Sequence, residues 1–314
     1  MIVGYAVRRW QRSEAAEAAC ERWSHRCKIA VLAYLLPPVV VTALIRQPLT
    51  GTHVLTMGAI GALSLLSGAL LGRLLISLWD MPPQRAGAFL GCAAMANIFS
   101  FGGLLVFSFW GNEGLQQLYL FELFKHVLYY GVFYPWCGTF GDGAARGRGG
   151  LMESLRAHPI TLIPIVAVLI GLIVNFAIYR EGVSVLSLPQ WISSVNRVLV
   201  PVHVGILTFA VGLTLRPSRI SGYWTECVAS GVIAFIARPA VTAAIAYGCF
   251  SIGWIDSLGF SAAVLISAMP VAFNSLIPPT LYGLDQDLAN SCWIFTTVVM
   301  IVLVPIMYVA VGAG

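Results

Sequence analysis

Charge is scarce in this sequence, because only 10% of its 314 residues are Asp, Glu, Lys or Arg. An ordinary soluble domain carries roughly 25% charged residues. Hydrophobic residues make up 59% of the chain, and the mean hydropathy is +0.85. A soluble protein of this size would expose large contiguous apolar patches, which soluble proteins avoid. The shortage of charge therefore excludes a soluble domain, a disordered chain and a nucleic-acid-binding module, so no nucleic acid is expected as a partner.

The sequence also lacks the cysteine pairs and motifs of several other classes. Its seven cysteines include no C-x-x-C pair and lie mostly inside apolar runs, which favours buried reduced thiols over a disulfide framework or a metal site. The sequence contains no H-E-x-x-H, no G-x-S-x-G, no P-loop and no G-x-G-x-x-G followed by an acidic residue. These absences argue against an enzyme and against an ATP-driven pump in this chain, and they predict no cofactor and no metal.

Long apolar runs are what the sequence has instead. A transmembrane helix needs about 20 apolar residues to cross a hydrocarbon core of about 30 Å. Residues 1–10 reach only about 15 Å as a helix and resemble the end of a truncated one, and the charged residues 11–28 are expected to form a surface helix. We therefore predict an all-α polytopic membrane protein with about nine full spans, at 29–46, 53–79, 86–110, 115–139, 159–179, 191–215, 227–250, 257–282 and 290–312.

The basic residues predict an orientation in the membrane. Lys and Arg cluster on alternate connections, and the positive-inside rule assigns such connections to the cytoplasm. The N-terminal segment, which includes Lys28, is expected in the cytoplasm of a bacterial-type cell and the C-terminus outside its inner (plasma) membrane. Asp285 lies in a loop and is expected to be solvated. The other connections predicted to be cytoplasmic are 80–85, 140–158, 216–226 and 283–289.

The Gly- and Arg-rich connection at 140–158 divides the chain into two similar parts. We predict a first repeat at 1–139, with its N-terminal helix truncated, a cytoplasmic linker at 140–158 and a second repeat at 159–314. A complete first helix would give each repeat five spans. An odd number of spans places the two repeats in opposite orientation, as in the inverted repeats of many secondary transporters.

Two spans are interrupted at corresponding places in the two repeats. The sequence GCAAMANIFSFGG occupies 91–103, and ISAMPVAFNSLIPP occupies 266–279. Pro and Gly weaken a helix, and the freed backbone groups must lie inside protein or along a water-filled cavity. The alternative is that these residues only serve helix packing, but matched interruptions in two halves favour a transport site. The candidate substrate-binding residues at these breaks are Asn97, Ser100, Gly102, Pro270, Asn274 and Ser275.

Charged residues inside spans are the other candidates. Glu122 and Lys125 are three residues apart on one helix face, beside His126, so they form either an ion-coupling group or a structural ion pair. Arg238 precedes Pro239 in the middle of a span. Its guanidinium suits a carboxylate substrate, and the alternatives are a role as partner for Glu122 or for a freed carbonyl.

Seven segments spread over the chain carry a resemblance to a known family. They are IVGYAVRRW, AVLAYLLPPVVVTAL, RAGAFLGCAAMANIFSFGG, HVGILTFAVGLTLR, IARPAVTAA, AMPVAFNSL and LANSCWIFTTVVMIVLVPI. In this order they resemble the auxin efflux carrier family, whose bacterial members include malate and malonate permeases. The resemblance implies ten helices in two inverted five-helix repeats that cross at two broken helices. It also implies a mobile transport domain built on those broken helices, a scaffold made of the first two helices of each repeat, and organic-anion substrates.

The expected function is therefore secondary active transport of a small organic anion by elevator-type alternating access, the anion being a mono- or dicarboxylate or an auxin-like acid. Besides the anion, the expected partners are the lipid bilayer and a second copy of the chain in a homodimer, with proton or sodium coupling left open. The alternatives are a membrane receptor that binds the same ligand without flux, and a passive channel, which the lack of a filter motif disfavours. The identity of the anion and the direction of transport also stay open.

Overall fold

The computed structural model describes residues 14–45, 51–141, 162–180 and 221–312, with short pieces between 189 and 213. Within these ranges the chain is mostly helical. Most of the predicted linker at 140–158 and the whole of the stump at 1–10 lie outside the described residues. The helices are α1 (14–45), α2 (Thr52–Leu78), α3 (Pro83–Ala94), α4 (Gly103–Phe121, with a non-helical kink at Gly111), α5 (125–138), α6 (Leu162–Arg180), α7 (224–251), α8 (Ser257–Ser267), α9 (Ile277–Tyr282) and α10 (Gln286–Gly312).

Four stretches of helix in the described residues are long and apolar enough to cross a membrane. Two shorter helical stretches, Leu169–Tyr179 and Ser257–Ser267, are also apolar. The chain is thus a polytopic helical membrane protein, while the count of nine spans and the inverted repeats stay predictions. The four long stretches are Ala19–Thr42, Thr52–Leu78, Ser221–Ser251 and Gln286–Ile306.

Helix α1 differs from the prediction of a surface helix followed by a span. It runs continuously through the predicted boundary at residue 29. Ser24 and Lys28 are one turn apart and therefore share a face, and both are buried while Arg22 and Arg26 remain exposed. The Ser24 hydroxyl donates to the carbonyl of Ala210, at 2.8 Å, so this face packs against the second half of the chain. The sequence does not reveal this packing, because charged residues such as those at 11–28 usually indicate a helix exposed to solvent.

Three helices widen locally just before a proline. The π-helical stretches are Val31–Leu35, Tyr129–Phe133 and Ile233–Ala237, and the prolines that follow are Pro37, Pro135 and Pro239. A proline in a helix has no N–H to donate and its ring clashes with the carbonyl four residues earlier. A wide turn at that place moves the carbonyl away and lets the helix continue. α1, α5 and α7 therefore contain a bulge before each proline and continue beyond it.

Glycines on α2 allow the neighbouring helices to approach its backbone. A Cβ added to Gly61 would overlap the carbonyl of Phe121, and one added to Gly68 would overlap the carbonyl of Ala93. Ala93 lies in the last turn of α3. Close approach of this kind, through small residues, is how helices associate in membranes. Gly68 thereby lets the last turn of α3 lie against the backbone of α2.

We expect Gly68→Ala to destabilise the protein by about 1–3 kcal/mol, as overpacking typically does. The matched control is Gly248→Ala on α7, because nothing lies within 4 Å of an added Cβ there. Alanine favours a helix over glycine, so the control should melt at or above the wild-type temperature. Thermal unfolding of both purified variants measures the difference. Equal melting temperatures would contradict the close packing of α2 on α3.

Three of the connections predicted to be cytoplasmic meet at one end of the molecule. Arg85 forms ion pairs with Glu226 and with Asp285, each at 3.6 Å, and its guanidinium lies over the ring of Tyr223. The Tyr223 hydroxyl donates to Asp285 at 3.0 Å. Asp285 is therefore paired, contrary to the expectation that it is solvated, because the fold brings distant loops to it. The side of the membrane on which this end lies stays a prediction.

Candidate functional site

The two interrupted spans break where the sequence indicated, and the breaks cross each other. Helix α3 ends at Ala94 and is followed by extended backbone, and α8 ends at Ser267 and is followed by a turn residue and then by non-helical backbone. Ala96 and Val271 form an antiparallel β-bridge between the two segments. Two backbone hydrogen bonds flank the bridge, from Asn97 N–H to Pro270 at 2.7 Å and from Ala272 N–H to Met95 at 3.0 Å. Each break thus supplies hydrogen-bond partners for the other, as buried backbone in a membrane requires.

The first break contains a buried amide with an unused donor. Asn97 is 8% exposed, and its Nδ2 atom is buried without a hydrogen-bond partner. Ser100 and Gly102 follow in the short π-helical stretch Ile98–Gly102. Gly102 is buried and lies against Met269 of the second break, whereas the side chain of Ser100 lies outside what the structure describes. Asn97 is therefore the polar side chain that the first break leaves available.

The polar side chains of the second break have partners. The side-chain Nδ2 of Asn274 donates to the Tyr130 hydroxyl at 3.2 Å, and the backbone carbonyl of Asn274 accepts from the Tyr134 hydroxyl at 2.9 Å. The Ser275 hydroxyl donates to the carbonyl of Ala272 at 2.7 Å and so stabilises a turn of its own segment. The second break is thus held in place, and Asn274 is oriented by α5.

Three tyrosines of α5 support the crossing, and sequence reasoning missed them. The Tyr129 hydroxyl donates to the carbonyl of Ala96 and accepts from its N–H, both at 2.8 Å. Tyr130 and Tyr134 bind Asn274 as described above. All three are fully buried. A buried phenol hydroxyl needs a partner, so a group of tyrosines in the middle of a predicted span was the signal that could have found them.

Arg238 lies on the backbone of the second break. It is 1% exposed, and its Nε and Nη2 atoms donate to the carbonyls of Ser267 at 2.9 Å and Met269 at 2.6 Å. A cation at the carboxyl end of a helix satisfies carbonyls that lack a partner and interacts favourably with the helix dipole. Of the roles left open from the sequence, the structure shows the one in which Arg238 binds freed carbonyls.

The charged group on the fourth predicted span lies next to the tyrosines. Glu122 and Lys125 form an ion pair whose side chains are nearly buried. The His126 ring stacks on Tyr130, with centroids 6.0 Å apart and an interplanar angle of 7°. Since Tyr130 binds Asn274, a chain of contacts leads from His126 to the second break. No three His, Cys, Asp or Glu side chains within the described ranges are grouped to hold a metal ion.

Helix α10 forms a further wall of the crossing, also missed from the sequence. The Thr296 hydroxyl accepts from the N–H of Val271 at 3.2 Å. Trp293 packs its ring on Phe273, with centroids 4.7 Å apart, and its Nε1 is buried without a hydrogen-bond partner. The face of α10 that carries these residues therefore contacts the second break at Val271 and at the start of its turn, Phe273.

Comparison with known proteins gives two archaeal relatives, whereas no family model matches the chain. One relative is an uncharacterized transporter of Methanothermobacter thermautotrophicus, 23% identical over 280 residues that cover 88% of this chain and 85% of that protein. The other is an uncharacterized transporter of Methanocaldococcus jannaschii, 26% identical over 245 residues that cover 74% of this chain and 70% of that protein. The chain is thus similar over most of its length to proteins named transporters, and the resemblance to auxin efflux carriers stays a prediction.

Proposed function

We propose that this chain is a secondary active transporter that carries a small organic anion across the membrane. The crossing of the two broken helices, with the unused amide donor of Asn97 in it, is the observation that carries the proposal. The two relatives named transporters support the general class. The proposed substrates are mono- or dicarboxylates, auxin-like acids included, and the proposed movement is an elevator-type displacement of the crossing relative to a scaffold.

The chemistry of the unused donor favours an anion. A buried donor without a partner costs about 1–3 kcal/mol, so native proteins keep few of them. An amide N–H needs an acceptor, and a carboxylate oxygen is among the strongest acceptors available to a small metabolite. In this proposal the carboxylate binds Asn97 Nδ2 and lies beside Asn274, the corresponding residue of the second break.

The remaining candidates at the breaks shape the site in this proposal. Ser100 and Gly102 continue the first break, and Pro270 and Ser275 fix the backbone of the second. Arg238 acts as a positioning residue, because it holds the carbonyls of Ser267 and Met269 and thereby the end of α8.

The group Glu122, Lys125 and His126 is proposed to couple transport to a proton gradient. Its position next to Tyr130, which binds Asn274, supports a link between protonation and the second break. We expect Glu122→Gln to reduce uptake driven by a pH gradient at least tenfold while leaving exchange of substrate at equal pH intact. Uptake into proteoliposomes with and without the gradient measures this ratio, with a sodium gradient as a parallel condition.

A purely structural ion pair gives a different pattern in the same assay. Glu122→Gln would then lower the melting temperature and both transport modes together, and the double variant Glu122→Gln, Lys125→Met would recover both. That pattern would contradict the coupling role. The assignment of the substrate site to the crossing would not be contradicted by that result.

The proposal also places the chain in a bacterial inner membrane, as a homodimer, with its N-terminal segment in the cytoplasm and its C-terminus outside. Alternate basic connections support this orientation. Labelling of single cysteines by an impermeant maleimide in intact cells, with the native cysteines replaced, distinguishes the two orientations.

The experiment that tests the proposed function is uptake of labelled carboxylates by the purified protein in proteoliposomes. The panel contains a monocarboxylate, malonate, malate and an indole acid, with matched neutral amides as controls. A transporter gives saturable uptake of at least one acid and accelerated exchange when the same acid is inside. Flux that does not saturate indicates a channel, and binding without flux indicates a receptor.

A further inference from the structure

Lys28 on α1 is a buried cation for which the described structure provides no carboxylate. It is 1% exposed, and its Nζ atom donates to the hydroxyl of Thr280 on α9, at 2.9 Å. The ion pairs in the described residues involve Arg85 and Lys125 as cations. A neutral hydroxyl is therefore the partner of a buried ammonium.

Such an arrangement is costly unless something else compensates the charge. Removing an ammonium group from water costs several kcal/mol even after the protein relaxes. A hydrogen bond to a single hydroxyl compensates only part of that cost. Long basic side chains usually avoid this cost by extending to the interface, as their flexible stems allow. Lys28 instead points to the interior of the protein, on the same face as the buried Ser24.

The position of Lys28 connects it with the second break. Helix α9 begins at Ile277, directly after the turn Phe273–Leu276 that contains Asn274. The Thr280 hydroxyl also lies 3.3 Å from the carbonyl of Leu276, the last residue of that turn. The ammonium of Lys28 thus lies against the first turns of chain that leave the crossing.

The other buried cations of the described residues are already neutralised or satisfied. Lys125 is paired with Glu122, and Arg238 binds two carbonyls of the second break. Lys28 differs from Arg238 in its donors, because its ammonium has three N–H groups and a single hydroxyl as partner, so it has both charge and donors to offer to a ligand. This differs from the sequence-based expectation, which assigned that role to Arg238 and counted Lys28 among the basic residues of a cytoplasmic segment.

We propose that Lys28 supplies the positive countercharge for the carried anion, an inference that rests on the proposed function. The anion binds with a carboxylate near the second break and compensates the ammonium, which Thr280 holds in position. Because Lys28 belongs to α1 and Thr280 to α9, the bound anion also joins the first half of the chain to the second.

The test compares Lys28→Met, which keeps the unbranched stem to within one atom and removes the charge, with Lys28→Arg, which keeps the charge. Thermal shift is recorded with malonate, malonamide and inorganic phosphate, and malonate uptake is measured in proteoliposomes. We expect the wild type to be stabilised by malonate and not by malonamide. We expect Lys28→Met to raise the KM for malonate at least tenfold and lose the malonate shift, with a melting temperature at or above that of the wild type. Lys28→Arg should retain part of the shift.

The first two outcomes below separate the countercharge from the proposed function, and the last two bear on both. If the wild type transports malonate and Lys28→Met does so with the same KM, Lys28 is not the countercharge although the function stands. If Lys28→Met melts well below the wild type and still shows the malonate shift, the lysine is structural and the proposal is wrong. A phosphate shift without a malonate shift identifies an inorganic anion and overturns the organic substrate in both proposals. No shift and no uptake with any acid overturns both.

Discussion

Replacing Asn97 by Ala is expected to reduce carboxylate uptake to the background of empty vesicles while leaving the melting temperature unchanged or slightly raised. The two effects have one cause. The Nδ2 donor of Asn97 is buried without a partner, so the unliganded protein loses no hydrogen bond there when the amide is removed. The bound substrate, in contrast, loses a donor aimed at its carboxylate. Uptake in proteoliposomes and thermal unfolding of the same preparation measure both effects.

The matched control for Asn97 is Asn175→Ala. Asn175 is also buried, but it lies on α6, which packs mainly on the end of α1 and touches the crossing's supporting helix α5 much less. This control should retain wild-type affinity for the substrate. Wild-type uptake by Asn97→Ala would falsify the assignment of the first break to the substrate site. A large fall in melting temperature would show that the amide serves packing instead.

The second large effect is expected at Arg238. Its substitution by Met leaves the carbonyls of Ser267 and Met269 buried without their donors. Hydrogen bonds to charged groups contribute about 1.5–3 kcal/mol each, so we expect a loss of about 3 kcal/mol or more in the free energy of unfolding. Arg238→Lys should lose part of this, because an ammonium cannot reproduce the geometry of two guanidinium donors. Chemical unfolding in detergent micelles measures these differences.

Arg85→Met is the matched control for Arg238. The Arg85 side chain is 42% exposed, and exposed ion pairs contribute only about 0–1 kcal/mol. The two arginines should therefore differ several-fold in their effect on stability. If Arg238→Met unfolds like the wild type but no longer binds carboxylates, the guanidinium acts on the substrate, and its role as a support of the second break is wrong.

Local sequence signals predicted the breaks but not what holds them. Pro270 marks a place where a helix cannot continue, and this is a property of the local chain. The glycines after Ser100 lie in helical backbone instead, and the first break falls before them, at 95–97. That the two breaks meet, with Ala96 opposite Val271, is a tertiary pairing over 175 residues. The sequence anticipated it through the matched positions of the breaks and through the family resemblance, and it could not supply the hydrogen bonds.

The tyrosines that support the crossing are difficult to predict from the sequence, because tyrosine fits an apolar span although its hydroxyl is polar. Tyr129, Tyr130 and Tyr134 count as apolar in a hydropathy average, although each hydroxyl serves the crossing. Lys28 was hidden for the opposite reason, since a charge near the predicted end of a span is read as solvated. In both cases the partner lies far away in the sequence, and local periodicity carries no information about it.

The measurement that tests the central claim most directly is equilibrium binding of a labelled carboxylate to four purified proteins. These are the wild type, Asn97→Ala, Asn274→Ala and the control Asn175→Ala. If the crossing binds the substrate, the wild type and Asn175→Ala share one Kd, and both variants at the crossing lose binding or weaken it at least tenfold. The same Kd in all four proteins would contradict the account, because the anion would then bind elsewhere.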